Sequence, residues 1–375
     1  MSRQTDALAP AAAAQLAAIE PVTALLPAIN WGSIGHSAPQ PLATARRAAS
    51  DPLPRADVLI ITWTNAEWSA LDHVFANSGS SRGPQSAPGS WSTAWLPYAR
   101  DVGSYTSGEN SAPLWGFFRE VAVTGSSGSL RVVLFHSDAH LQYQPYIDGL
   151  RAMVTTILKD TQPSELYSIG TAGGATLSQA IGDAVVTNSA QLLAGVPPNN
   201  SDPANGKTFT CTAWYPPTSL FGPAQTLMFR LSQVVTQQDL TTLFASLQNK
   251  GKVLLTDLVN QPLLRANLGA PQVHNMRGVP LNTSCNYAMA PGSGTTQYSA
   301  YEEDDAAVGQ AAQAAGVNFA FIRNVSDTVV PDETAGQTTI PLAVRKDWAG
   351  LLYDRYGWIT ASNGALATWA AIAAS

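Results

Sequence analysis

The sequence predicts an α/β layered fold, and three observations carry that prediction. Apolar runs of strand length recur along the chain, stretches with apolar residues at helical spacing lie between them, and glycine-rich or polar breaks separate the two kinds of segment. The chain of 375 residues is long for one compact domain, but with 45% apolar and 12% charged residues it can build a sizeable core.

Taken in order, residues 5–30 have helical composition, and "HSAPQPLATARRAASDPLPRAD" reads as a linker. Residues 1–55 are therefore expected to form an N-terminal helical arm and linker, ahead of one catalytic domain over 56–375. "ADVLIITW" (56–63) is a buried strand, and a helix follows from Asn65 or Ala66 to Phe75. Residues 76–129, rich in Gly, Ser, Pro and Trp, look like an inserted segment, with Trp91, Trp95 and Trp115 ordering part of it. "LRVVLFHS" (130–137) is the next strand, and "YIDGLRAMVTTILKD" has helical spacing. "SELYSIGTAGGATLSQAIGDAVVTN" reads as strand, glycine-rich turn and second strand.

A second insertion is expected over about 191–280; its first part, 191–222, is loop-like. Within it "AQTLMFRLSQVV" and "TTLFASLQNK" read as helices, while "GKVLLTDLV" is ambiguous. "VPLNTSCNYAM" fits a strand and "DDAAVGQAAQAAG" a helix. "FAFIRNVSDTVV" (319–330) opens as a buried strand, and "KDWAGLLYDRYG" and "NGALATWAAIAA" close the chain as two helices.

Composition narrows the function. The net charge of -6, without a strong Lys/Arg cluster, argues against nucleic acid as a partner, because phosphate contacts need concentrated positive charge. No apolar run approaches membrane-spanning length, and the Ala-rich N-terminus is interrupted by Pro10 and Gln15 and ended by Glu20, unlike a signal peptide. Cys211 and Cys285 show no metal or redox spacing, and neither do the histidines. A cytoplasmic protein without metal is the expectation.

The chemistry lies in four stretches. "GTAGG" (170–174) follows an apolar strand, where glycines permit close backbone approach to a ligand, but it matches neither the phosphate-binding P-loop nor the dinucleotide pattern. "IGD" (181–183) follows at short distance. "YEEDDAAVG" (301–309) puts four acids at a helix start, and "IRNVSD" (322–327) delivers Arg323, Ser326 and Asp327 at a strand exit. Together, in this order, they resemble the purine nucleoside phosphorylase and methylthioadenosine nucleosidase superfamily, whose members carry G-[ST]-x-G-G, then G-D, then E-M-E-A, then I-R-x-[IV]-S-D. The resemblance covers most of residues 56–370 apart from the insertions. It implies a mixed central sheet flanked by helices in a phosphorylase/hydrolase-like three-layer architecture.

What the resemblance implies for the site follows residue by residue. Asp327 would be the general acid that protonates the leaving purine. That role needs a raised pKa, whereas an Asp that merely caps a turn does not. Ser326 would orient it, with Arg323 structural. Thr171, Ala172 and Gly173 would approach the substrate, and Asp304 or Glu303 would accept from the ribose hydroxyls; acids at a helix start also simply complement the helix dipole. Tyr287, in "LNTSCNYAM", is the candidate to stack on the base or else ordinary core.

"IITWTNAEWSAL" (60–71) resembles the nucleosidase branch, with Glu67 at the water-activating position or else on the helix surface. The phosphorylases' G-D-P-x-R loop is absent, and Ser168 stands where they carry Arg. The implied function is an enzyme cleaving the N-glycosidic bond of a purine nucleoside or related thio-nucleoside by hydrolysis, without cofactor and as a homo-oligomer. A phosphate-dependent phosphorylase and a non-catalytic nucleoside sensor on the same fold remain the alternatives.

Overall fold

Four parallel strands in the middle of one branched sheet bring their carboxyl ends to the same edge. The structure, a computed structural model, describes residues 25–43, 47–83, 90–103, 105, 113–137, 139, 141, 146–194, 199–234, 270–284, 288–329 and 339–375. In chain order the strands are β1 (Gln40–Pro41), β2 (Val58–Thr62), β3 (Leu96–Tyr98), β4 (Gly116–Gly125), β5 (Gly128–His136), β6 (Glu165–Gly174) and β7 (Ala184–Thr187). There follow β8 (Ser189–Leu192), β9 (Thr208–Thr210), β10 (Val273–Asn275), β11 (Leu281–Thr283), β12 (Ala300–Glu302) and β13 (Asn318–Asp327). The helices are α1 (Asn65–Ala76), α2 (Tyr146–Thr161), α3 (Phe221–Leu227), α4 (Asp305–Ala315) and α5 (Leu342–Ala373).

Among the described residues the 13 strands form one mixed sheet, ordered β1-β4-β5-β2-β6-β12-β11-β8-β9, with β13 paired to both β6 and β7. Strands β5, β2, β6 and β13 run parallel and, apart from the first four residues of β5, are almost wholly buried, which is why their cores read as apolar runs. One face packs on α1, α3 and α5, with Trp68, Leu71, Phe221, Trp348 and Leu366 in its core. The other packs on α2 and α4, through Leu150, Ile157, Ala307 and Val308. Helix, sheet and helix give the three layers expected.

The branch point positions the site. Strand β2 pairs with β6 only as far as Ile61 opposite Ser168, while β13 follows β6 on the other side to its end. Beyond the end of β2, the antiparallel β12 pairs with the last two residues of β6, Ala300 with Gly174 and Tyr301 with Gly173. Gly173 therefore has Asp327 as its partner on one side and Tyr301 on the other.

Several expectations are corrected. "GTAGG" is not a turn: all five residues belong to β6, and the glycines are there because groups from neighbouring elements occupy the space of side chains. The segment 76–129 supplies the ten-residue β4, paired along its length with β5. Its strand alternation is hidden in the sequence by flanking loops. Part of the stretch read as arm and linker joins the core, where Trp31 packs on Trp369 with ring centroids 4.5 Å apart and β1 pairs with β4.

The two closing helices are one 32-residue helix, α5, because its glycines fit close neighbours and do not break it: a Cβ on Gly364 would stand 3.1 Å from Asn324 Oδ1. "AQTLMFRLSQVV" is only partly helical: its first residues end α3, and a short 3-10 turn over Leu231–Gln233 follows. "TTLFASLQNK", "GKVLLTDLV" and Tyr287 lie outside the described residues. No helix among the described residues is long and apolar enough to cross a membrane.

Candidate active site

Asp327 ends β13 opposite Gly173, after a register shift at Ser326 that breaks the regular pairing. Its side chain is buried and crosses over β6, with Oδ2 standing 3.1 Å from the point where a Cβ on Gly173 would be. Ser326 Oγ donates to Asp327 Oδ1 at 2.8 Å and also lies 3.2 Å from the Ala172 carbonyl. Burial pushes the Asp327 carboxyl up to about 6, against the Ser326 hydrogen bond, which favours the charged form. An acid so placed keeps its proton up to about pH 6, well above an ordinary aspartate.

Three residues back along β6 and, across the register shift, four back along β13, Arg323 is paired with Gly170. Its guanidinium makes a two-pronged pair with Asp305, Nε donating to Oδ2 at 2.7 Å and Nη2 to Oδ1, and lies 3.3 Å from Glu302 Oε2. A Cβ on Gly170 would overlap Arg323 Nη1 and stand 3.0 Å from Glu67 Oε1. Glycine is thus required there by the packing of two charged groups against bare backbone. Ser168 Oγ accepts from Trp63 Nε1 at 3.2 Å and from Arg323 Nη2 at 3.5 Å.

Glu67 is the third residue of α1, and its position follows from the local sequence. Thr64 caps the helix and Glu67 reaches back to the Thr64 amide (2.9 Å), a reciprocal capping box. The same oxygen, Oε2, accepts from the Trp63 amide (3.0 Å) and Thr62 Oγ1 (3.3 Å). Oε1 accepts from the amide and the hydroxyl of Thr171, both at 2.8 Å. Glu67 is therefore a buried carboxylate docked on β6, not a surface helix residue. It meets that strand at Thr171 and Asp327 meets it at Gly173, two residues or about 7 Å further along.

The four acids after Tyr301 have separate places. Glu302, the last residue of β12, accepts from the amides of Asp304 (2.6 Å) and Asp305 (2.9 Å) and contacts Thr283 Oγ1, so it caps α4 from the preceding strand. Burial, then the neighbouring Asp305 charge, raise its carboxyl above the ordinary range, while Arg323 opposes them. Asp304 is buried at the start of α4 and Glu303 is half-buried beside it. Asp183 of "IGD" is a structural latch: Oδ1 accepts from the Gln272 amide (2.8 Å), and Oδ2 accepts from the Ala180 amide (2.9 Å) and contacts His274 Nε2 (2.7 Å). Among the described residues no group of His, Cys, Asp and Glu is arranged to hold a metal ion.

No protein-family model matches the chain, and no curated protein matches its sequence. Solved structures do resemble it. A 5′-methylthioadenosine/S-adenosylhomocysteine nucleosidase from Neisseria meningitidis, in complex with methylthio-immucillin-A, is 13% identical with TM-score 0.43, over 84% of this chain and 98% of that one. A futalosine hydrolase of Helicobacter pylori is 11% identical with TM-score 0.44, over 84% and 96%. An S-adenosylhomocysteine nucleosidase from Streptococcus pyogenes, in complex with 5-methylthiotubericidin, is 14% identical with TM-score 0.42, over 86% and 98%. Likeness at this level decides nothing about the site; its residues do.

The structure brings most of the expected residues to one region. Asp327, Ser326, Ala172 and Gly173 are in contact, Thr171 is bound to Glu67, and Glu303 and Asp304 follow β12 beside the same end of β6. Sequence reasoning missed the Glu302–Arg323–Asp305 cluster and the docking of Glu67 on Thr171. The signal for the first was present: a lone arginine inside an apolar strand needs buried acids, and the chain offers them in "EEDD".

Proposed function

We propose that this protein cleaves the N-glycosidic bond of a purine nucleoside or a related thio-nucleoside, with Asp327 protonating the leaving base and water as nucleophile. The observation that carries the reading is the buried Asp327 carboxyl, raised to about 6 and laid over the side-chain-free Gly173. A purine anion is a poor leaving group, and a neutral acid at its imidazole edge makes departure feasible. The proton moves from Asp327 to the base nitrogen as the bond from C1′ to the base breaks, and its electron pair stays on the base. The sugar carbon gains oxocarbenium character, as in ordinary glycoside cleavage. Water then adds to C1′ and gives its proton to Glu67.

Both oxygens of Glu67 already accept hydrogen bonds, so the base role requires a donor to yield. The Thr171 hydroxyl is well placed for that, because it can rotate and both donate and accept, whereas the three backbone amides cannot. Asp304 or Glu303 would take the ribose hydroxyls. Two features support hydrolysis over phosphorolysis: Ser168, not arginine, lies at the phosphate position, and Arg323 is committed to Asp305 and Glu302. The test is a panel of purine nucleosides and thio-nucleosides incubated with and without phosphate. Free base and free sugar at equal rates in both buffers support the reading; a sugar 1-phosphate formed only with phosphate makes the protein a phosphorylase.

A further inference from the structure

The "IGD" turn grips β13 beside the acid. Strand β7 pairs with β13 only as far as Ala184 opposite Asn324. The turn before it carries the contact one residue further: the Val325 amide donates to the Asp183 carbonyl at 2.7 Å, and the Gly182 amide donates to the Val325 carbonyl at 2.8 Å. Val325 is the last residue of β13 in regular register with β6, and the shift that brings Asp327 opposite Gly173 begins there. The placing of Val325 therefore sets where the shift starts, two residues before the acid.

Two side chains from outside the four motif stretches hold that turn. His274, on β10, places Nε2 2.7 Å from Asp183 Oδ2, the oxygen that also accepts from the Ala180 amide within the turn. The backbone of β10 adds to this tie, since the Gln272 amide donates to Asp183 Oδ1 and the Ala184 amide donates to the Gln272 carbonyl, both at 2.8 Å. Asn363 reaches the turn from α5. It is fully buried, and a buried amide is retained only where its partners are met. Its Nδ2 donates to the Gly182 carbonyl (2.8 Å) and the Phe229 carbonyl (3.0 Å), and its Oδ1 accepts from the Phe229 amide (2.8 Å). Gly182 has a φ of 90°, which side chains rarely adopt, and a Cβ there would stand 3.3 Å from Asn363 Nδ2. The turn is thus built around its clamp.

We propose that His274 and Asn363 are positioning residues for Asp327: they clamp the Gly182 turn from β10 and from α5, and the turn holds Val325 so that the carboxyl lies over Gly173. The assignment rests on the reading of Asp327 given under Proposed function and extends it to two side chains that act on the acid only through backbone. Releasing either clamp lets Val325 and the register shift move. Asp327 then loses its fit to the bare glycine and gains water.

The experiment is a carbon-13 NMR titration of the Asp327 carboxyl in the full chain, its signal identified by its loss in Asp327→Asn, beside steady-state kinetics on a purine nucleoside. The chains compared are wild type, His274→Leu, His274→Gln and Asn363→Leu. His274 is the first choice because its side chain is 21% exposed and its replacement disturbs little packing. In His274→Leu the carboxyl midpoint is expected to fall by about one pH unit as water reaches the group. Its kcat drops roughly tenfold with KM little changed, the scale of a small misplacement. His274→Gln puts an amide nitrogen near the place of the ring Nε2 and brings both values back toward wild type. Asn363→Leu repeats the loss from the helix side. A midpoint and a kcat that stay at wild-type values in His274→Leu, whatever its melting temperature, overturn the assignment and leave the function standing. The titration needs no substrate, so a shifted midpoint in a chain whose wild type cleaves no nucleoside supports the clamp and overturns the function.

Discussion

Asp327 Oδ2 stands 3.1 Å from the position a Cβ would take on Gly173, so the acid and the glycine are fitted to each other. Gly173→Ala puts a methyl group closer to the carboxylate than side chains ordinarily tolerate, and the acid must move by a few tenths of an ångström. Because transition-state geometry is sensitive to such displacements, turnover is expected to drop by about tenfold while the melting temperature changes little. Steady-state kinetics beside a thermal melt read both. An unchanged kcat would mean that the position of Asp327 over β6 is not used.

The proton on Asp327 has a signature in pH. Its carboxyl is raised from the ordinary 3.8 to about 6 by burial, so the working, protonated form is lost as pH rises through that value, and kcat/KM falls about tenfold per pH unit above it. The same raised pKa contributes stability that is fully present below 3.8 and lost as pH rises through about 6. Asp327→Asn should flatten that part of the stability profile, a difference of about 1–3 kcal/mol across the window. Denaturant titrations of both chains between pH 3.5 and 7 decide it; parallel profiles would show the carboxyl to be ordinary.

Much of this arrangement was readable beforehand. The motif order placed Asp327, Gly173 and Glu67 near one another because strand exits of parallel strands share an edge, and periodicity then needs no atomic detail. What could not be read was pairing. Nothing in "GTAGG" distinguishes a turn from a strand whose side-chain space is filled by Arg323 and Asp327, since a glycine is compatible with both. Likewise "GFFREVAVTG" is a good strand pattern, but its pairing with β5 depends on a partner that follows it across a short turn. The continuity of α5 through Gly357 and Gly364 is a tertiary outcome, set by neighbours such as Tyr353 and Asn324.

The Arg323 cluster is expected to act on stability first. Arg323→Met leaves Asp305 and Glu302 buried without their guanidinium and should cost about 3–5 kcal/mol. Adding Asp305→Asn to it should recover part of that loss, because the two positions share one interaction. Urea unfolding of the single and double variants measures the recovery. Strict additivity would contradict the pairing.

Glu67 and Thr171 separate structure from chemistry. Glu67→Gln turns an amide NH₂ toward backbone donors at Trp63, Thr64 or Thr171 and should destabilise the chain as well as slow hydrolysis. Thr171→Val keeps the amide bond to Glu67 and removes only the hydroxyl. If that hydroxyl shares the attacking water, hydrolysis falls by roughly 10–100-fold, the scale of a general-base contribution, with nucleoside affinity within a few-fold. Wild-type turnover in Thr171→Val would remove the hydroxyl from the mechanism.

The most direct measurement of the central claim is release of free purine base from a nucleoside by the wild-type chain and by Asp327→Asn, side by side in phosphate-free buffer near pH 6. The account predicts free base and free ribose in equal amounts from the wild type. It also predicts a rate at least about 100-fold lower from the variant, with nucleoside binding retained. Equal rates from the two chains, or a wild type that binds purine nucleosides and leaves every one intact, would contradict it.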